Sequence, residues 1–337
     1  MSKQVKEIFL KDYQSPFYWI KHTELLFEIG ESKTVVTSEL TIEKNTEHSG
    51  EQDLTLNGVN LKLLGIWLGE DELDSSRFNV TDTDLTIKKT ADNFKLKIKV
   101  EIDPDNNLSC EGLYKSGDIY CSQNEAEGFR KITYFQDRPD VMSSFRTTII
   151  ADQEKYPYIL SNGNLETSLK LTNGKHKTIW NDPFPKPCYL FALVAGDLGR
   201  VQDDYITASG KKVKLEIYVD YGNEDKTAHA MESLKNSMRW DEEKFGLEYD
   251  LDCYMIVAVD SFNMGAMENK GLNIFNSHYV LAKPETATDS DFKGIEGVIG
   301  HEYFNNYSEM SELFDDLPEA LENNYNFPLR CSFRPLF

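Results

Sequence analysis

Residues 297–306 read GVIGHEYFNN and contain side chains that could bind and use a metal ion. His301 and Glu302 match the start of the pattern H-E-x-x-H, whereas its fifth position holds Asn305. Side chains at i and i+4 share a helix face, so the complete pattern points two imidazoles at one zinc ion, beside a Glu that acts as general base. Asn is a weak zinc ligand because its amide oxygen is neutral and zinc prefers nitrogen or sulfur. Taken alone, a His-Glu pair on a helix is more often an ordinary surface pair. The rest of the sequence is therefore needed to distinguish a metal site from such a pair.

The N-terminal part of the chain, to about residue 205, has the alternation of half-buried β-strands. In FKLKIKVEI (94–102), apolar residues occupy every second position and charged residues occupy the positions between them. TVVTSELTI (34–42) alternates in the same way. This period of two predicts strands, and turn sequences such as DPDNN (103–107) and SNGN (161–164) separate them.

The pattern then changes to that of an α/β domain. The proline-rich segment 181–199 predicts a loop that leads into a buried strand. Segment 224–246 has an apolar stripe at helical spacing, and CYMIVAVD (253–260) is typical of a well-buried strand. Segment 289–310 predicts the helix that carries the His-Glu pair, weakened by internal glycines. The candidate caps of this helix are Asp289, Ser290 and Asp291.

The composition indicates the partners and the compartment. The 337 residues carry a formal net charge of −21, which disfavours nucleic acid and anionic membranes as partners because both would repel the chain. This charge is typical of a soluble surface, and alternatively it attracts cationic ligands such as peptide amino termini. No apolar run is long enough to span a membrane, and residues 1–20 lack the apolar region of a secretory signal. The 5 cysteines are scattered and never in C-x-x-C spacing, which predicts reduced thiols and a cytoplasmic location.

A second motif upstream changes the interpretation of the His-Glu pair. Segment 263–282, NMGAMENKGLNIFNSHYVLA, contains the word G-A-M-E-N at 265–269. G-A-M-E-N followed by H-E resembles the aminopeptidase N family of zinc exopeptidases. The block CSQNEAEGFRKITYFQDRPDVMSSF (121–145) and the text around both motifs are also similar to the bacterial, alanyl-aminopeptidase branch of that family. The resemblance extends from about residue 8 to Phe304.

The resemblance implies a fold that agrees with the patterns. Residues 1–205 would form a saddle-like β N-terminal domain, and residues 206–304 would begin an α/β, thermolysin-like catalytic domain. On this resemblance the catalytic domain would be incomplete and the helical C-terminal domains of the family would be absent. Residues 305–337 would form a divergent, acidic and amphipathic tail.

The resemblance also implies an activity, which is the release of single residues from free peptide amino termini. Glu268 and Glu125 would bind the α-ammonium group of the substrate. Two carboxylates around one cation explain this specificity, because a mid-chain amide carries no charge. Gln123 would line the first side-chain pocket, with Met264 as a flexible wall. The implied substrate-binding set is Gln123, Glu125, Met264, Gly265, Ala266, Met267, Glu268 and Asn269.

The implied metal site is where the sequence departs from the family. His301 remains as a zinc ligand and Glu302 as the base that activates the zinc-bound water. The second and third ligands of the family correspond here to Asn305 and Asn324. Zinc is therefore expected to bind weakly or not at all, because a catalytic site uses three protein ligands plus water.

Two acids could replace the third ligand. Glu319 and Glu322 lie close to the expected position in the sequence, and either could be a displaced ligand. The tyrosine that stabilises the oxyanion in the family would lie beyond residue 337.

Three hypotheses follow. The first is the N-terminal part of a zinc aminopeptidase that is truncated and inactive as it stands. The second is a non-catalytic module that binds peptides with a free amino terminus. The third is an enzyme with a rebuilt metal site.

Overall fold

The computed structural model describes residues 13–88 and 91–308. The predicted tail from residue 309, with Glu319, Glu322 and Asn324, lies outside these residues. The strands of the described part are, in chain order, β1 (Tyr18–Ile29), β2 (Thr34–Lys44), β3 (Leu54–Asn57), β4 (Lys62–Leu68), β5 (Asp71–Glu72), β6 (Phe78–Val80), β7 (Asp84–Ile87), β8 (Asn93–Ile102), β9 (Gly112–Ser116), β10 (Ile119–Gln123), β11 (Ser143–Asp152), β12 (Tyr158–Ser161), β13 (Asn164–Lys170), β14 (Lys175–Lys186), β15 (Leu193–Gly196), β16 (Gly199–Ile206), β17 (Lys212–Val219), β18 (Cys253–Val259), β19 (Ala266–Met267) and β20 (Leu272–Asn276). The α-helices of the described part are α1 (Ala228–Phe245) and α2 (Asp289–Ser308). Short 3-10 turns occupy Ser75–Arg77, Pro104–Asn106, Phe129–Lys131, Cys188–Leu190, Glu224–Lys226 and Ser277–Tyr279.

Strands β1–β15 form three sheets and make up the first unit, whereas β16–β20 form one sheet and, with α1 and α2, make up the second unit. The large sheet has the order β13-β14-β11-β1-β2-β8-β4-β5, and two smaller sheets have the orders β12-β15-β10-β9 and β3-β7-β6. The sheet of the second unit has the order β16-β17-β18-β20-β19. In it β17, β18 and β20 run parallel, whereas β16 and β19 pair antiparallel at its edges. The predicted order, a β unit and then an α/β unit, is confirmed.

The predicted alternating strands are present. In β2 every second side chain is buried, namely Thr34, Val36, Ser38, Leu40 and Ile42, and the alternate positions are less covered. In β8 the apolar side chains from Leu96 to Ile102 are buried in the same alternation, while the intervening charged residues face outward. One face of each strand therefore belongs to the core, as the period of two requires.

The prediction of a loop from residue 181 is wrong for its first part. Strand β14 continues to Lys186, although it contains Pro183 and Pro185. Its neighbour β13 pairs with it only as far as Asn181, and its register with β11 shifts near Ser143. The prolines thus lie where one side of the strand has no partner and the other side is irregular, which are positions that tolerate a missing N–H.

The predicted domain boundary at residue 205 remains a prediction. Strand β16, which contains this residue, pairs with β17 of the five-stranded sheet.

The five-stranded sheet is covered on both faces. Met255, Val257 and Val259 of β18 pack into the core shared with the first unit. Tyr254 and Ile256 face a second core, formed with α1 and α2. A strand buried on both faces is apolar at every position, which explains the continuous apolar run that predicted β18.

Helix α1 confirms its predicted stripe and its C-terminal cap. Met231, Leu234 and Met238 are buried against the sheet. Gly246 has φ 69°, the left-handed conformation that favours glycine, and its N–H bonds to the Glu242 carbonyl. Among the described residues, no helix is long and apolar enough to cross a membrane.

Helix α2 begins differently from the prediction, which offered Asp289, Ser290 or Asp291 as the cap. Thr288 receives a hydrogen bond on Oγ1 from Asp291 N at 3.3 Å. In return, Asp291 Oδ2 accepts the Thr288 N–H at 2.8 Å. This reciprocal pattern is a capping box with Thr288 as the N-cap, and Asp291 is its acidic partner in the first turn. Thr288 is the N-cap because its hydroxyl accepts an N–H of the first turn, while the Asp291 carboxylate accepts the N–H of Thr288.

Asp241 on α1 makes the stability of the fold depend on pH. Its side chain is 2% exposed, and its Oδ2 has no hydrogen-bond partner. Burial, together with the charge of Glu242, raises the pKa of Asp241 to about 7. The folded state therefore binds this proton more tightly than the unfolded chain, in which the pKa is near ~4. The stability from this proton is complete below the unfolded pKa and is lost as the pH rises through the folded pKa.

We expect the melting temperature to fall between about pH 5 and about pH 8, and to fall much less in Asp241→Asn. Thermal unfolding followed by circular dichroism at both pH values measures the difference. An equal fall in the two proteins would assign the effect to other groups.

Candidate active site

Gln123 joins the first unit to the G-A-M-E-N segment. This residue ends β10 and is 1% exposed. Its Nε2 donates to Met264 Sδ at 2.8 Å and lies 3.9 Å from Met267 Sδ. The structure therefore brings together two of the sequence blocks that were predicted to form one site. Glu125 lies two residues after Gln123, and Glu268 lies one residue after Met267, so both acids are carried to this junction.

Further contacts seat the loop before β19 on the first unit. Tyr114 donates its hydroxyl to the Ser261 carbonyl at 2.9 Å, and the Ser261 N–H bonds to Ser116 Oγ at 3.0 Å. Tyr114 and Ser116 both belong to β9, the strand that pairs with β10. The position of G-A-M-E-N relative to Gln123 is thus fixed from two adjacent strands.

Strand β19 presents backbone groups at the edge of the sheet. Gly265 O accepts the N–H of Asn276 at 2.9 Å, and Ala266 faces Phe275 in the antiparallel register. Hydrogen-bonded and non-hydrogen-bonded pairs alternate along such a ladder. Ala266 therefore turns its N–H and carbonyl away from β20. In the described part of the chain, β19 is the last strand on this side of the sheet.

The side chains of β19 alternate between two surroundings. Met267 belongs to the core shared with the first unit, whereas Ala266 belongs to the core formed with the helices. Glu268 directly follows the end of β19, and α2 lies against this strand. Asn269 closes the turn, because its carbonyl accepts the Leu272 N–H at 2.9 Å.

Tyr279 connects the G-A-M-E-N segment to the helix. A Cβ on Gly265 would lie 3.3 Å from Tyr279 Cε2, and a Cβ on Gly294 of α2 would lie 3.8 Å from Cε1. The ring thus occupies the space between these two glycines. A side chain at Gly265 would push it toward the helix, which gives this glycine a packing role in addition to its place in the motif.

On α2, the candidate metal ligand and the residue in place of the second imidazole contact each other. Asn305 Nδ2 and His301 Nε2 are 3.1 Å apart, across one helical turn. The amide has hydrogens to donate, so His301 Nε2 is the acceptor. Glu302, on a different face, is 4% exposed, whereas His301 is exposed. The predicted shared face of His301 and Asn305 is thus present.

The donor set of the described residues does not fit a three-ligand zinc site. No group of three His, Cys, Asp or Glu side chains that could hold a metal occurs within residues 13–88 and 91–308. The nitrogen that would bind zinc, His301 Nε2, is instead an acceptor for Asn305. The alternative ligands Glu319 and Glu322 lie outside the described residues.

Exposure separates the predicted binding residues into two groups. Met264 is 40% exposed, and Glu125 is also exposed, so both can meet a ligand. Glu268 is 8% exposed and Asn269 is 1% exposed, so they lie deeper.

The sequence interpretation missed the buried polar residues that hold these segments together. Asn124 and Asn162 are 0% and 3% exposed. Asn162 lies in the sequence SNGN, which predicted a turn and indicated nothing about a distant contact. For Asn124 the available signal was its place directly before Glu125.

Comparisons with known proteins agree with this arrangement. Residues 20–190 match a family model described as Peptidase M1 N-terminal domain, and residues 229–309 match one described as Peptidase family M1 domain. Aminopeptidase N of Escherichia coli (strain K12) is 53% identical over 309 residues, which is 91% of this chain and 35% of that protein. Aminopeptidase N of Haemophilus influenzae is 50% identical over 305 residues, which is 90% of this chain and 35% of that protein. A crystal structure of Legionella pneumophila aminopeptidase A in complex with aspartic acid superposes with a TM-score of 0.85 at 36% identity, covering 89% of this chain and 35% of that one.

The fold and the assembled motifs are those of a peptidase built from a β unit and an α/β unit. The match to the M1 N-terminal domain covers about half of the chain, and the protein belongs to peptidase family M1. These matches confirm the family predicted from the sequence, whose aminopeptidases are zinc metallopeptidases. The chain spans about 35% of the length of the aminopeptidase N relatives that it matches.

Proposed function

We propose that this chain is the substrate-recognition part of an M1 aminopeptidase and that it binds the free amino terminus of peptides. The observation that carries the proposal is the contact of Gln123 with Met264 and Met267. This contact holds together the two segments that carry Glu125 and Glu268.

Glu125 and Glu268 are the proposed binding groups for the α-ammonium. Charge-assisted hydrogen bonds from one cation to two carboxylates select a free amino terminus, because an internal amide has no charge. The net charge of −21 adds a field that attracts cations and repels nucleic acid and anionic membranes. Met264 is proposed as the flexible wall of the first side-chain pocket, with the Gln123 amide beside it.

Strand β19 is the proposed binding site for the peptide backbone. The outward N–H and carbonyl of Ala266 can pair with an extended peptide, which adds a strand to the edge of the sheet. The resulting complex orients the peptide with its amino terminus at Glu268.

We propose that the whole enzyme releases amino-terminal residues from peptides with zinc, by analogy with the aminopeptidases that match this chain. We also propose that this chain does not hydrolyse peptides, because its described residues do not bring three metal ligands together. A rebuilt site with Glu319 or Glu322 is the alternative. The cytoplasmic location remains a prediction from the reduced cysteines.

Calorimetric titration with tri-alanine and N-acetyl-tri-alanine tests the binding proposal. We expect tri-alanine to bind more tightly than its acetylated twin, and Glu268→Gln to weaken tri-alanine binding roughly 10- to 100-fold, since hydrogen bonds to charged groups contribute about 1.5–3 kcal/mol. Glu127→Gln is the matched control, because Glu127 is 68% exposed, lies two residues from Glu125 and pairs with Arg130. Equal affinities for the two peptides would refute the proposal.

Zinc analysis after dialysis, together with an alanyl chromogenic substrate, tests the absence of catalysis. We expect far less than about one equivalent of zinc and no turnover. Stoichiometric zinc with turnover would instead support the rebuilt site.

A further inference from the structure

Asn162 connects three segments of the chain through all the hydrogen-bonding groups of its side chain. Its Nδ2 donates to the carbonyls of Leu190 at 2.9 Å and Lys270 at 3.0 Å. Its Oδ1 accepts the N–H of Ala192 at 2.6 Å. The residue is 3% exposed, so these bonds are shielded from water. Lys270 directly follows the G-A-M-E-N word, and Asn162 therefore bonds the first unit to the segment that carries Glu268.

The backbone around Asn162 leaves little room for adjustment. Gly163 has φ +86° and Gly271 has φ +78°, both in the left-handed region that favours glycine. A Cβ on Gly271 would lie 3.0 Å from Gly163 N, and a Cβ on Gly163 would lie 2.2 Å from Asn181 O. The backbone at Gly163 thus lies directly against the backbones at Gly271 and Asn181. This close approach fixes the Lys270 carbonyl at the Asn162 amide.

Residues 190–193 are also hydrogen-bonded to the segment that carries Glu125. Asn124 Nδ2 donates to the Phe191 carbonyl at 2.7 Å, and Ser122 Oγ accepts the Leu193 N–H at 2.9 Å. Residues 190–193 are therefore held by Asn162 on one side and by Asn124 and Ser122 on the other. A buried path of hydrogen bonds runs from Lys270, two residues after Glu268, to Asn124, directly before Glu125.

We propose that Asn162 and Asn124 are positioning residues that set the separation of the Glu125 and Glu268 carboxylates. This inference rests on the proposed function, in which both carboxylates bind one ammonium group. Two like charges repel when no cation lies between them, so a fixed scaffold is needed to keep them at the distance that the ligand requires. A displacement of about 1 Å at such a site can cost up to roughly a hundredfold in function.

Asn162→Asp tests the role of the path. The substitution keeps the shape and the acceptor but replaces the NH₂ group that serves two carbonyls. We expect the preference for tri-alanine over N-acetyl-tri-alanine to fall at least about tenfold. Asn45→Asp is the matched control, since Asn45 is also 3% exposed, donates to Pro16 O and Ser15 Oγ, and accepts the Glu47 N–H. This control should lower the melting temperature and leave the preference unchanged.

The outcomes separate this inference from the proposed function. A wild-type protein without any preference would refute the proposed function and the inference with it. A folded Asn162→Asp protein that keeps the wild-type preference would refute the inference alone. An equal loss in Asn45→Asp would also refute it, because the loss would then reflect general destabilisation.

Amide hydrogen exchange of the wild-type protein decides the question if Asn162→Asp does not fold. Saturation with tri-alanine is expected to slow exchange at Ala192 and Leu193, whose N–H groups bond to Asn162 and Ser122. Exchange at Glu47, bonded to Asn45, should not change. Unchanged exchange at Ala192 and Leu193 under saturation would refute the inference.

Discussion

Replacing Lys186 with Met is expected to lower the free energy of unfolding by about 3–5 kcal/mol, because it leaves a buried carboxylate without its counter-charge. Lys186 Nζ lies 2.5 Å from Asp182 Oδ2, and both side chains are 1% exposed. The ammonium also donates to the Phe184 carbonyl at 2.9 Å and lies 5.5 Å from the centre of the Phe145 ring. Burial acts on both partners in the direction of neutrality, since it raises the pKa of Asp182 and lowers the pKa of Lys186. Each partner opposes this effect of burial, because Lys186 lowers the pKa of Asp182 and Asp182 raises the pKa of Lys186. Removal of either partner leaves the other without this compensation.

Urea unfolding of three variants measures this coupling. Asp182→Leu and Lys186→Met should each destabilise strongly, whereas the double variant should recover most of the loss, since a buried ion pair contributes little relative to apolar residues of similar size. Lys95→Met is the control at an exposed pair, 3.1 Å from Glu39, and it should change stability little. Single variants as stable as the wild type would show that the two charges are not shielded from water.

The same ion pair lies beside the segment that carries the proposed binding groups. The charge of Lys270 lowers the pKa of Asp182, although burial outweighs this effect. Lys270 itself bonds to Asp250 Oδ2 at 2.7 Å and lies 4.9 Å from the centre of the Phe184 ring. The second half of β14, which contains the two prolines, thus packs against Lys270. Destabilisation at Lys186 is consequently expected to loosen the attachment of G-A-M-E-N to the first unit.

The periodic elements of the fold were accessible from the sequence. Strands β2 and β8 alternate because one face is buried, and the stripe on α1 repeats because one side of a helix meets the sheet. In both cases the spacing of the apolar residues reflects the one face of the element that is buried. Gly246 was accessible for a different reason, since a left-handed cap has a strong residue preference.

The connections between elements were not accessible in the same way. Asn162 contacts Lys270 across a separation of 108 residues, and its surrounding sequence is that of an ordinary turn. The prolines of β14 indicated a loop because a proline lacks an N–H, and only the positions of β13 and β11 reveal that no N–H is required there. The cap of α2 was displaced by one to three residues because several adjacent side chains were suitable.

The candidate site was assembled from the sequence only through the resemblance to a family. Glu125 and Glu268 are separated by more than a third of the chain, and nothing in their own neighbourhoods indicates a common ligand. The contact of Gln123 with Met264 and Met267 supplies the missing physical link. The shared face of His301 and Asn305, in contrast, follows from helix geometry alone.

Replacing Asn305 with His is expected to raise the affinity of the protein for zinc roughly 10²- to 10⁴-fold, because a second ligand on the same helix face binds an ion already held by the first. The change also removes the Asn305 amide, which now lies 3.1 Å from His301 Nε2. That nitrogen is then available as a ligand. Competition with a chromogenic chelator measures the affinity, and acidification should weaken it because imidazole binds metal only in its neutral form.

Two variants distinguish the new ligand from the lost hydrogen bond. Asn305→Leu removes the amide without adding an imidazole and should leave zinc binding near the wild-type level. His301→Ala in the Asn305→His background should abolish the gain, since one imidazole is again left. If Asn305→Leu binds zinc as tightly as Asn305→His, the hydrogen bond and not the missing ligand limits the affinity of the wild-type site. Even the tightest binding by two imidazoles should not restore hydrolysis from the described residues, because a catalytic zinc site needs a third protein ligand to fix the geometry of the ion.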